Sequence, residues 1–134
     1  MAGLSTYLQE ALLGWVRGAA MPAAPAAIYV GLFSADPTDA GSPANEVTAT
    51  IRTAGRVAAT FGAPATSAGA STIANSGVVS FGAAAGGATV THFALFDAAS
   101  GGNMLASAAV GGGGAIAAGS TVRYAAGALT MSAS

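Results

Sequence analysis

His92 is the single histidine of the chain and stands in Thr89-Val90-Thr91-His92-Phe93-Ala94-Leu95-Phe96-Asp97. A general base needs an orienting partner and a nucleophile within reach. If this segment is a strand, alternation puts His92 on the face of Val90, Ala94 and Phe96 and sends Asp97 to the opposite face, so no dyad forms locally. A packed or interface histidine is expected. The other acids are Glu10 on a helix, Asp36 and Asp39 in a turn and Glu46 near a loop end, positions that capping and turn roles explain. Asp36, Asp39 and Glu46 offer oxygen to a hard cation but lack the dense spacing of a calcium loop, so no metal site is expected. Gly112-x-Gly114-x-x-Ala117 formally matches a loose dinucleotide fingerprint. Gly119 follows too soon for a helix to open there and no βαβ unit surrounds it, so no cofactor is expected. Arg52, Arg56 and Arg123 read as salt-bridge or aromatic-stacking residues.

Two function classes therefore lose support. A glycan hydrolase needs two carboxyl groups across a sugar bond, and five scattered acids do not suggest such a pair. A glycan-binding module would use Tyr7, Tyr29, Tyr124 or Trp15 as a stacking platform, yet so few aromatics are expected mainly in the core. The absence of cysteine removes disulfides and thiolate metal sites. The chain reads as a non-enzyme.

The elements that would hold these residues are legible in part. Leu4, Leu8, Leu12 and Trp15 recur at helical spacing, predicting one amphipathic helix over about 4–17. Thr6 and Gln9 give it a capping-box pattern, and Gly18 and Pro22 supply a stop. The stripe suits either the chain's own core, which is favoured, or a docking surface, with Leu13 off the stripe as an outward contact. Strands are expected at Ala27–Phe33, Arg56–Phe61, Thr72–Phe81, Thr89–Asp97, Asn103–Val110, Thr121–Ala125 and Ala128–Met131, within a β domain over about 27–132. In the first of these, Ile28, Val30 and Leu32 face one side and Tyr29 and Phe33 the other, as in a strand covered on both faces. Ala98–Gly102 reads as a hairpin connection, and the four glycines from Gly111 to Gly114 as a flexible loop. The expectation is a single domain over residues 1–134: mainly β, an antiparallel β-sandwich or barrel of about seven strands with one N-terminal α-helix.

Composition sets the physical frame. The 134 residues are 53% hydrophobic and only 7% charged, with a formal net charge of −1, against about 25% charged residues in ordinary soluble domains. So little charge leaves almost no repulsion between copies, and permanent association is the natural remedy. Four arginines and no lysine give no footprint for a phosphate backbone, so nucleic acid is not an expected partner. The apolar stretches fall short of a membrane span, so no membrane is expected either. The opening segment lacks a basic start and reads poorly as a signal peptide.

Several segments in one order resemble a known family. Leu4 to Trp15, Ile28-Tyr29-Val30-Gly31-Leu32-Phe33 with Asp36-Pro37, Arg56 to Pro64, Thr91 to Asp97 with Gly101-Gly102-Asn103, and Gly119 to Gly127 are similar to small tailed-bacteriophage proteins commonly labelled tail fibre proteins. The chain departs from that pattern before Arg56, where an aromatic would be expected near Ala54, and in its glycine-rich Gly111–Gly114 stretch. The resemblance implies a virion protein, present in many copies on the particle surface. Its expected partners are other virion proteins, either tail components or the major capsid protein, and copies of itself in a cyclic homo-oligomer. A head decoration protein that braces capsomers is the alternative. Leu4, Leu8, Leu12, Leu13 and Trp15 are the expected core or partner contacts.

Overall fold

A computed structural model describes residues 3–52, 55–67 and 69–133; Ala54, where the family pattern differs, lies outside them. Among the described residues the chain forms ten strands: β1 (Gly3–Leu4), β2 (Ile28–Phe33), β3 (Val57–Ala59), β4 (Ala65–Ser67), β5 (Ala70–Ala74), β6 (Val79–Ala83), β7 (Ala88–Phe96), β8 (Met104–Ile116), β9 (Thr121–Tyr124) and β10 (Thr130–Ala133). Helix α1 (Thr6–Val16) follows β1, and a single-turn helix, α2 (Thr48–Ile51), precedes β3. The strands make a five-stranded sheet in the order β1-β8-β7-β2-β3, a three-stranded sheet β10-β5-β4 and a two-stranded ribbon β6-β9, all antiparallel. None closes into a barrel, so the sandwich form of the expected mainly β class is the one found.

The main core lies between the five-stranded sheet and the two smaller ones. Val30 and Leu32 from β2, Phe93 and Leu95 from β7 and Ala106, Ala108 and Val110 from β8 meet Val79, Phe81, Val122, Leu129 and Met131. Ile51 of α2 is fully buried in the same cluster, held there because Thr48 Oγ1 accepts a hydrogen bond from the Leu32 N–H at 2.9 Å. The opposite face of the large sheet carries a second cluster of Phe33, Ala94, Phe96 and Met104, with Tyr29 against it. Strand β2 is thus apolar on both faces, as its sequence predicts.

Three departures have clear physical causes. The expected strand Thr72–Phe81 is two strands in different sheets, because buried Asn75 breaks it. Its Nδ2 donates to the carbonyls of Gly77 and Ala125, and its Oδ1 accepts from the Leu129 N–H. Gly111 to Gly114 is not a flexible loop but part of β8, opposite β7. Val90 pairs with Gly114 and His92 with Ala109, so the single residue Thr91 of β7 is opposed by four residues of β8, 110–113, in a large bulge. A Cβ on Gly113 would sit 2.6 Å from the Val90 carbonyl oxygen, so glycine permits the close approach there. The helix, finally, begins later than about residue 4, since Gly3–Leu4 pairs with β8. Its N-cap is Ser5, whose Oγ accepts from the Leu8 N–H, and not Thr6; Gln9 instead donates to the Leu4 carbonyl and to Asp39.

Candidate functional site

The acids that sequence reasoning weighed as metal ligands turn to separate partners. Asp36 Oδ1 accepts from the Thr38 N–H at 2.8 Å, closing a turn, and Asp39 Oδ2 accepts from Gln9 Nε2 at 3.1 Å. Glu46 takes both of its oxygens to Arg56, Oε2 to Nε at 2.8 Å and Oε1 to Nη2 at 3.0 Å. Among the described residues no group of three metal-ligating side chains converges.

Arg56 is the hub of the polar architecture. Its Nη1 donates to the carbonyls of Ala98 and Gly101 in the β7–β8 hairpin, and its guanidinium carbon lies 3.4 Å from the centre of the Phe96 ring. Phe96 in turn stacks on Phe33, with ring centres 6.1 Å apart and planes 12° apart. The planar fork bonds a carboxylate edge-on while its face rests on an aromatic, an arrangement lysine cannot reproduce. Both expected arginine roles, pairing and stacking, meet in this one residue. Gly31 leaves the room: a Cβ there would stand 2.8 Å from Glu46 Oε2. What the cluster can do is tie the 46–56 segment to the hairpin.

His92 and Asp97 are apart in their bonding. His92 Nδ1 lies 2.9 Å from Thr91 Oγ1, and burial pushes its pKa down. Asp97 accepts from the backbone N–H and the side-chain amide of Asn103, which closes the hairpin. The alternation of β7 also shifts opposite the β8 bulge: Val90 joins the main core with Phe93 and Leu95, so His92 shares its face with Ala94 and Phe96 but not with Val90.

The expected contact residues lie on one graded surface. Leu4 and Leu8 are half-buried, Leu12 is 38% exposed and Trp15 is 62% exposed, so cover fades along the stripe. The chain's own core, favoured from sequence for this stripe, does not reach Trp15. Leu13, off the stripe, is 68% exposed, and Val16 is 73% exposed. Beside the helix runs an apolar groove of about 470 Å³, walled by Tyr7, Leu8 and the Met21–Pro25 segment and floored by Ile28 and Leu105. Sequence reasoning missed this groove, because the Met21–Pro25 wall carries no periodic pattern.

A family model described as podophage GP4 fiber I protein gp80 matches residues 3–132. No curated protein matches the chain.

Proposed function

The chain belongs to the podophage GP4 fiber I protein family, and from that premise we propose that it serves as a non-enzymatic, multicopy surface component of the tail fibre apparatus. Its place is the virion. The observation that carries the structural reading is the run of large apolar side chains left open on α1, in a chain with only 7% charged residues. An exposed apolar patch of that kind on an almost uncharged surface is the mark of an association site. The use of the polar groups supports a non-enzymatic role: Glu46, Asp39 and Asp97 are each bonded to a structural partner, Arg56, Gln9 and Asn103 respectively. A glycan platform draws less support. Tyr29 and Tyr124 are half-buried, and Tyr7 and Trp15 stand eight residues apart on one helix, about 12 Å along its axis.

Antibody labelling of intact particles, read by electron microscopy, tests the placement. Label on the tail is the expected result. Label over the head would favour the alternative, a decoration protein seated on the major capsid protein, and particles that lack the chain would overturn a structural role altogether.

A further inference from the structure

Trp15 lies on the same face of α1 as Leu8, yet seven residues further on, about 10 Å along the axis. A straight helix cannot bend back to lay that indole in the groove beside its own Leu8. We propose that the open end of α1, with Leu12, Leu13, Trp15 and Val16, seats in the apolar groove of a second copy of this chain. This rests on the multicopy virion reading and deepens it by naming the surface through which copies meet.

Three observations select another copy as the occupant. The first is area: Leu12, Leu13, Trp15, Val16 and Met21 leave apolar surface on the order of 500 Å², taking roughly 150–250 Å² for a large side chain. One such patch from each of two copies reaches the roughly 1,000 Å² that a specific interface needs. The second is fit, since a groove of about 470 Å³ lies within the size range of sites that enclose a bulky apolar group. The third is charge. The helix end carries one ionised side chain, Arg17, which has no acidic partner among the described residues, and the groove is lined by one, Asp97. Docking between copies brings the cation to the acid, and a net charge of −1 adds little opposing repulsion.

Trp15 is the sole tryptophan, so its fluorescence reports the contact directly. The full chain at tens of micromolar is expected to sediment as an oligomer with a blue-shifted, quencher-protected emission that moves to the red on dilution. Trp15→Asp, which removes the inserted group, and Ala23→Trp, which obstructs the groove, should each weaken association about thirtyfold or more, the effect of losing a hot spot. Circular dichroism should show both variants folded. Mixing the two should recover part of the association as a heterodimer, because the helix end of one and the groove of the other form one intact contact where each variant alone has none. Arg17→Glu should weaken association roughly fivefold at low salt. Oligomers that persist unchanged in both single variants would overturn the proposal. So would a wild-type monomer at these concentrations, even if the chain were found in many copies on particles; that result would leave the virion reading standing. Self-association through this surface with no copy in particles would sink the virion reading and keep the contact.

Discussion

Arg56 makes four hydrogen bonds to Glu46, Ala98 and Gly101 and covers Phe96, with its side chain 7% exposed and that of Glu46 18% exposed. Removing one member of such a pair strands the other charge, so Arg56→Met should cost about 3–5 kcal/mol in urea unfolding. Arg56→Met combined with Glu46→Leu should cost less than Arg56→Met alone, because no uncompensated carboxylate remains. His92 bears on pH. Burial lowers its folded pKa below the unfolded value of about 6.5, so the unfolded chain binds more protons in that window. Stability should therefore fall as the pH drops from about 6.5 toward the lowered folded pKa. His92→Gln should make the loss of melting temperature between pH 7 and pH 5 smaller than in the wild type. An equal loss in both proteins would show that His92 contributes nothing to it.

At the scale of elements, β2, β7, the Ala98–Gly102 hairpin and α1 were legible because each rests on a local signal, either period two, period 3.6 or a glycine turn. The misses lie where one side chain or one bulge overrides such a signal. Asn75 carries no pattern that marks it as a strand breaker, yet three hydrogen bonds from its amide separate β5 from β6. Asn75→Ala should therefore destabilise the fold by about 2–5 kcal/mol, leaving the Gly77 and Ala125 carbonyls and the Leu129 N–H without that partner. Asn75→Asp should be no better, because it replaces the two donors with an oxygen facing those carbonyls. Glycine runs suggest mobility through backbone entropy, but in β8 the missing side chains allow the strand to pass close over Val90. Gly113→Ala should consequently cost about 1–3 kcal/mol by overpacking. Trp15→Ala, at an exposed site, should change the stability of the dilute monomer by within about 0.5 kcal/mol. Paired melting curves at low concentration check the order of these two effects. The α1 contacts were only half legible, since periodicity shows that a stripe exists but not how far the body beneath it extends.

Across the whole molecule, scarce charge and a nearly neutral balance suit the proposed contact, which rests mainly on apolar area with a single ion pair beside it. The five-stranded sheet supplies the rigid layer, with apolar clusters on both faces, and α1 reaches beyond its cover at one end. Strand β1 packs against β10, so the first and last strands of the chain are neighbours in space although nearly the whole sequence separates them. Residues 20–25, between α1 and β2, are exposed and make no backbone hydrogen bond outside regular elements with any other described residue. Chain order and architecture are therefore separable at this point. A circular permutant opened between Ala23 and Ala24, with Ala133 joined through a short linker to Gly3, should fold to the same circular dichroism spectrum and unfold cooperatively. In that rearranged chain the β1–α1 unit would become a carboxy-terminal appendage, and the first strand to leave the ribosome would be β2, the strand buried on both faces.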